Sequence, residues 1–293
     1  DRAWADKLSI AGQYAHFEEV LAQQNLDAIL IASPSNLHVA QIKGASDAGK
    51  AIFCEKPIGL HEEEIVDVLK TIQANNTLLQ LGFNRRFDPS FSHLQRQVQA
   101  GDIGAVHLVK ITSRDPACPT KEYCATSGGL FMDMTIHDFD MARFLTQSEV
   151  VEVYATGAVL INPDFEALDD IDTAIIQMRF ANGALGVIDN SRQAVYGYDQ
   201  RIEVFGKEGM LLANNQLKHS VMHYTNTLTE QANPEYFFLE RYQQAFKTEL
   251  ESFYDAWLHN NPSPVSGRDG LQALRIAQAA KQSLVTKLPV SLS

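Results

Sequence analysis

Apolar and polar positions follow two regimes along the chain. Over the first 83 residues, short apolar runs alternate with stretches of helical spacing, whereas beyond them extended runs follow one another with turn signals between. Positions 4–8 and 17–21 read as pieces of two short helices. A buried-type strand over 27–32 ends in the turn Ser33-Pro34-Ser35-Asn36, which caps a helix over 37–48 that stops at Gly49. A second strand over 51–54 ends at Glu55-Lys56-Pro57, and an acidic-started helix over 62–74 leads to a third strand over 78–83. Strand, turn and helix in repetition predict a parallel sheet of βαβ units, whose ligands bind beyond the carboxyl ends of the strands. Ser33 to Asn36, Glu55 to Pro57 and Asn84 to Arg86 fall there.

After Phe83 come a helix over 88–100, a strand over 106–113, a polar loop with Pro116 and Pro119, and a helical run to residue 145. Strands follow over 150–160, 171–180, 184–191, 200–205 and 210–213, with Asn182-Gly183 as a hairpin turn. Strands without intervening helices predict a largely antiparallel open sheet. Amphipathic helices over 239–258 and 269–285 cover it, and residues 288–290 close its edge. The fold class read from this pattern is α/β: a parallel-sheet domain over 1–83, then an α+β domain over 84–293.

The run from Gly128-Gly129 to Leu145 carries candidate chemistry. Met132, Ile136, Phe139 and Arg143 recur at helical spacing, and so do Asp133, His137 and Asp140, so one helix here has an apolar stripe beside a polar one. The apolar content leaves little of it for water, which places Asp133 and His137 at a cleft. A carboxylate one turn before an imidazole orients it and stabilises its protonated form, as a general base requires. Spacing alone is equally met, and more often, by a satisfied internal histidine or a surface pair. No second His or Cys lies one turn away, so a metal site is not expected.

Composition narrows the classes. The 293 residues are 45% hydrophobic and 20% charged, an ordinary globular balance. Asp plus Glu number 36 against 24 Lys plus Arg, without a basic run, which argues against nucleic-acid binding. No stretch reaches the roughly 18 apolar residues of a membrane helix, and the opening residues do not form a signal peptide. Cys54, Cys118 and Cys124 are an odd number without zinc-ligand spacing, as expected of reduced thiols in a cytoplasmic protein.

Asn36-Leu37-His38 after the first strand, Glu55-Lys56-Pro57 after the second, Gly82-Phe83-Asn84-Arg85-Arg86-Phe87-Asp88 after the third, and Asp133 with His137 behind two glycines together resemble the glucose-fructose oxidoreductase and inositol dehydrogenase (Gfo/Idh/MocA) family. The likeness runs from end to end. Ser113-Arg114-Asp115-Pro116, the Asp133 helix and Tyr196-Gly197-Tyr198-Asp199 are similar to the inositol 2-dehydrogenases within that family. The resemblance implies a Rossmann-type dinucleotide-binding domain over 1–83 and a substrate-binding and oligomerisation domain over 84–293. It implies NAD-dependent oxidation of a cyclitol ring hydroxyl, with myo-inositol giving 2-keto-myo-inositol (scyllo-inosose), by a tetramer or dimer.

By the same resemblance His137 is the base, Asp133 orients it and binds a hydroxyl, and Lys56 donates to the reacting oxygen. Pro57 holds the lysine in a non-helical turn. Ser33, Pro34, Asn36, His38, Glu55 and Lys56 are assigned to the cofactor, and Arg85, Asp115 and Tyr198 to ring hydroxyls. Asp115 and Tyr198 fit loop and edge-strand roles equally well, and Arg86 with Asp88 reads as a structural ion pair. The glycines never form G-x-G-x-x-G, and Asp1 falls where family members are just past their second strand. The expectation is therefore a truncated Rossmann domain, short of about one βαβ unit of roughly 30 residues, with weakened dinucleotide binding. A related sugar or polyol dehydrogenase and a catalytically silent binding protein are the alternative readings.

Overall fold

The structure, a computed structural model, describes residues 2–292; Asp1, from which the truncation is reckoned, lies outside them. The chain divides into two compact units. The first holds the residues up to Gly82 together with Phe253–Arg268, and the second holds Phe83–Ser252 and the residues from Asp269 on.

In the first unit, helices α1 (Arg2–Lys7) and α2 (Phe17–Leu21) precede strand β1 (Ala28–Ile31). A 3-10 turn (Ser35–Leu37), helix α3 (His38–Asp47), β2 (Ala51–Glu55), α4 (Glu62–Ala74) and β3 (Leu79–Gly82) follow. The three strands are parallel, in the order β1-β2-β3. Ala51 to Cys54 and all four residues of β3 are buried, as strands covered on both faces must be. Three glutamates in the first turn of α4 complement its dipole. The strands and the helix over 62–74 lie where the hydrophobic pattern puts them.

The second unit contains α5 (Pro89–Ala100), β4 (Val106–Arg114), α6 (Lys121–Ser127), α7 (Leu130–Asp133) and α8 (Thr135–Thr146). After these come β5 (Val150–Ala158), β6 (Thr173–Phe180), β7 (Leu185–Ser191), β8 (Asp199–Gly206), β9 (Met210–Ala213), and the hairpin β10 (Met222–Tyr224) and β11 (Thr229–Gln231). Helices α9 (Phe238–Arg241), α10 (Gln243–His259) and α11 (Gly267–Thr286), then β12 (Val290–Ser291), complete it; the last turns of α10 belong to the first unit. The seven-stranded sheet runs β12-β5-β6-β7-β4-β8-β9. All its pairings are antiparallel except that of β4 with β7, which is parallel with Arg114 opposite Ser191. Alternate residues of β6 are buried, so one face of the sheet is covered. Val109, Ile111, Ile176, Ile188, Ile202 and Val204 form the core there with Phe139, Met141 and Leu145 of α8.

Three features differ from the sequence reading. The run over 128–145 is two helices broken at Met134. The loop after β4 contains α6, capped by Thr120. Arg86 does not pair with Asp88: it places Nε and Nη2 on Asp140 at 2.8 and 2.5 Å and reaches Asp269 at 2.9 Å. Asp88 is the N-cap of α5, accepting from the Ser90 and Phe91 amides, and its other oxygen takes Arg241. Because the cap turns the Asp88 carboxylate back along its own helix, Arg86 is left to α8.

Asp172, fully buried just before β6, gathers the turn after β5. Its carboxylate accepts from the amides of Leu160, Ile161 and Asn162 at 2.8–3.2 Å and from Thr173 Oγ1 at 2.9 Å, while its carbonyl accepts from the Arg192 amide. Burial alone would raise this carboxyl, but the converging amides outweigh it and hold it below the usual carboxylate range. The ionised form is thus worth stability above the unfolded-state pKa, and that stability is lost as pH falls through the depressed folded value. Asp172→Asn is expected to cost about 2 kcal/mol at pH 7 in urea unfolding. The gap from wild type should narrow as pH falls below the unfolded-state carboxylate pKa; a gap independent of pH would contradict the assignment.

Candidate functional site

The first unit gathers its candidate residues at the carboxyl ends of the strands. After β1, Ser33 is half-buried with its Oγ 2.5 Å from Gln41 Oε1, and Pro34 and Asn36 are exposed on the 3-10 turn. His38 is buried at the start of α3, with Nδ1 2.7 Å from the Pro57 carbonyl and Nε2 2.8 Å from the Ser33 carbonyl. Both nitrogens are spent on protein, so the ring ties the turn after β1 to the turn after β2. Glu55 and Lys56 are half-buried at the end of β2, and the Lys56–Pro57 peptide is cis. Gly82 makes room for the carboxylate, since a Cβ there would lie 2.8 Å from Glu55 Oε2. Burial pushes the Glu55 carboxyl up, and the charge and amide of Lys56 pull it partway back.

The second unit builds its part around α8. Every residue of that helix is buried except His137 and Phe144, so His137 is the one polar side chain of α8 with access to anything outside. Phe83 meets its ring edge-on at 5.8 Å. The next residue, Asp138, is wholly buried: one oxygen takes Arg85 Nη1 and the other accepts from Asn190 Nδ2 at 2.9 Å. Asn190 Oδ1 in turn accepts from Thr135 Oγ1 at 2.6 Å. Arg85, 4% exposed, also donates toward Ser113 Oγ at 3.3 Å and the Tyr198 hydroxyl at 3.5 Å. Tyr198 is core, its ring edge-on to Tyr242 and Phe237. Burial pushes its phenol well up, so it stays protonated.

Gly128 and Gly129, both at φ +87°, turn the chain into α7 in a conformation that side chains resist. A Cβ on Gly129 would come within 2.9 Å of Asp170 Oδ1, the atom that accepts the Leu130 amide and caps α7. The turn delivers Asp133, whose Oδ1 accepts from the Tyr123 hydroxyl at 2.7 Å and whose Oδ2 accepts from Arg192 Nη1 at 3.2 Å. Asp115 follows β4, its amide on the Ser191 carbonyl. Burial pushes its carboxyl up to about 6; Arg192 and Arg85 pull it down, and the charges of Asp133 and Asp138 push it further up.

Lys56 and the proposed cofactor residues thus lie in the first unit, and Arg85, Asp115, Asp133, His137 and Tyr198 in the second. Within the second, Arg85 and Tyr198 meet directly, and Asp115 shares the field of Arg192 with Asp133. Sequence reading passed over Asp138, Asn190, Arg192 and Tyr123. The first two carry no local signal. Arg192 stands at the end of a strand and Tyr123 ten residues before Asp133, which becomes informative only once β4 and β7 are known to be parallel neighbours.

Two family models match. Residues 1–83 match the oxidoreductase family with NAD-binding Rossmann fold, and residues 91–212 match the GFO/IDH/MocA C-terminal domain. The chain is 50% identical to an uncharacterized oxidoreductase, YrbE, of Bacillus subtilis, over 99% of this chain and 85% of that protein. It is 44% identical to the myo-inositol 2-dehydrogenase of Thermotoga maritima, over 99% and 87%. The crystal structure of scyllo-inositol dehydrogenase from Lactobacillus casei, with bound NAD(H) and scyllo-inositol, superposes with a TM-score of 0.92 at 32% identity, over 98% and 86%. With a Rossmann-type parallel sheet followed by the family's own mixed sheet, and with both family models matched, the chain belongs to the GFO/IDH/MocA family of NAD-binding oxidoreductases.

Proposed function

We propose that this protein oxidises a ring hydroxyl of a cyclitol, myo-inositol at its axial position giving 2-keto-myo-inositol, with His137 as base and Lys56 and Asp133 assisting. The observation that carries this reading is the partial exposure of His137 on α8. A helix buried except at His137 and Phe144 presents one imidazole, four residues after a carboxylate pinned by Tyr123 and Arg192. Relatives named for inositol oxidation supply the substrate class, and both myo- and scyllo-inositol occur among those names.

The cofactor residues fit a nicotinamide dinucleotide. Ser33, Pro34 and Asn36 lie on the turn after β1, and Glu55, in the space Gly82 leaves it, supplies an acceptor for a sugar hydroxyl. His38 braces both turns from behind. When bound, NAD supplies the hydride acceptor. The residues of this chain do the rest. His137 takes the proton from the reacting hydroxyl oxygen, which a carbinol must lose as its hydride leaves. Lys56 donates to that oxygen and offsets its developing negative charge. Asp133 accepts from a neighbouring ring hydroxyl and so fixes which carbon reacts. Arg85, Asp115 and Tyr198 complete the polar wall, Arg85 and Tyr198 from behind it, given their burial.

A homo-oligomer, tetramer or dimer, accompanies this reading. The face of the large sheet away from the helices exposes Ile175, Leu185, Phe205, Met210 and Leu212, each about half accessible, and a second copy of the chain would cover them. No helix among the described residues is long and apolar enough to cross a membrane.

Three measurements test the reading. Against a panel of inositol isomers and hexoses, NAD reduction is expected with myo-inositol foremost; preference for a hexose would move the protein to the sugar dehydrogenases, and ligand binding without reduction would make it a silent binder. Lys56→Met and His137→Asn should each lower kcat/KM by about 10²- to 10⁴-fold with melting temperatures held, and a variant retaining most of its turnover would remove that residue from the mechanism. Sedimentation should give a dimer or tetramer, and a monomer at micromolar concentration would refute the oligomer.

A further inference from the structure

The arginine that follows β7 has the burial of a core residue and the surroundings of a site residue. Arg192 is 1% exposed, yet only Nη1 has an acceptor, Asp133 Oδ2; Nε and Nη2 are buried and meet none among the described residues. Its charge acts on Asp133, Asp115 and Asp170 together. One cation therefore serves three carboxylates and saturates none. Two other arginines of this unit are bonded otherwise: Arg86 fills Asp140 with two donors, and Arg143 fills Glu149 with two. Arg241, like Arg192, has one carboxylate acceptor and buried Nε and Nη2, but its partner, Asp88, is the cap of α5.

The backbone explains how the cluster forms. β4 and β7 run parallel and end together, so Asp115 and Arg192 leave adjacent strands side by side, locked by the Asp115 amide on the Ser191 carbonyl and the Arg192 amide on the Asp172 carbonyl. Asp133 arrives from α7, with Tyr123 of α6 on its other oxygen. The carboxylate is thus held in one plane from two sides, and ring hydroxyls can reach it only along fixed directions.

We propose that Arg192 is a positioning residue of the polyol site, fixing the plane of Asp133 and setting a positive charge beside Asp115, so that both carboxyl groups face substrate hydroxyls as acceptors. The inference rests on the reading of Asp133 as a substrate ligand. The groups that face Asp115 are Arg192, Asp133 of α7, Arg85 of the turn after β3, Asp138 of α8, Tyr198 before β8, and Cys118 and Tyr123 from the segment after β4. Of the two cations, Arg85 is engaged with Asp138. Without Arg192 the remaining carboxylates dominate, and Asp115 holds its proton to higher pH.

The test compares wild type with Arg192→Gln and Arg192→Lys in the full chain. Carbon-13 NMR titration of the aspartate carboxyls, with Asp115→Asn identifying its resonance, reads the charge directly and needs no turnover. In R192Q the Asp115 midpoint should rise by about one pH unit, and the acid limb of kcat/KM should move up with it. R192K keeps the charge but lacks the planar fork. It should hold the midpoint near wild type and raise KM for myo-inositol about five-fold or more, with a smaller loss in kcat; this arm stands even where R192Q fails to fold. An unmoved Asp115 midpoint in R192Q, or an R192K variant with wild-type KM, overturns the proposal. A shifted midpoint in a protein that turns over another polyol upholds Arg192 and retires the cyclitol reading alone.

Discussion

The second unit is organised by the buried pairing of Arg85 with Asp138. Arg85 stands just beyond β3, and Asp138 lies on α8 next to His137. Around them close Ser113 from the end of β4, Asn190 from the end of β7 and Tyr198 from just before β8. Ionised groups withdrawn from water in this way are stable only when each finds partners. Asp138 has both oxygens engaged, and Asn190 passes the network on to Thr135 at the head of α8. The ends of three strands are thereby locked to one helix, at the turn where the imidazole emerges. A residue expected to move a proton gains a fixed position from its immediate neighbour in the chain.

A second layer of polar groups lies around Asp133, differently built. Arg85 and Asp138 match one cation with one anion, but Arg192 stands among Asp133, Asp115 and Asp170. Burial, helped by the neighbouring negative charges, lifts Asp115 to about 6, within the range where a carboxyl changes state under ordinary conditions. Under the proposed reading the two layers divide the work: a saturated core pair holds geometry, and an unsaturated cluster offers acceptors to substrate hydroxyls.

Much of this was legible beforehand, and the reasons for the rest are physical. The helix over 62–74 and the strands on either side of it follow from local periodicity, and so does the glycine pair ahead of Asp133. The break at Met134 does not, because the hydrophobic spacing runs on unchanged through Thr135, whose hydroxyl goes to Asn190, far along the chain. The parallel pairing of β4 with β7 is also silent, since strand order depends on which surfaces meet across some 75 residues of chain, and periodicity reports only which face is buried. Arg192 was missed for that reason. Arg86 and Asp88, two residues apart, read as a pair, but the capping of α5 sends the carboxylate elsewhere. The return of Phe253–Arg268 to the first unit, where the Val265 carbonyl accepts the Leu81 amide at 3.0 Å, likewise leaves no local mark.

The most direct test of the central claim is a double-mutant cycle on kcat/KM with Arg85→Met, Asp138→Asn and the two combined. If the pair acts as one unit that holds the helix of His137, the double variant loses about as much as the more severe single, so the losses are strongly non-additive. Losses that multiply would mean that Arg85 and Asp138 act independently, and the account of how the base is held would be wrong.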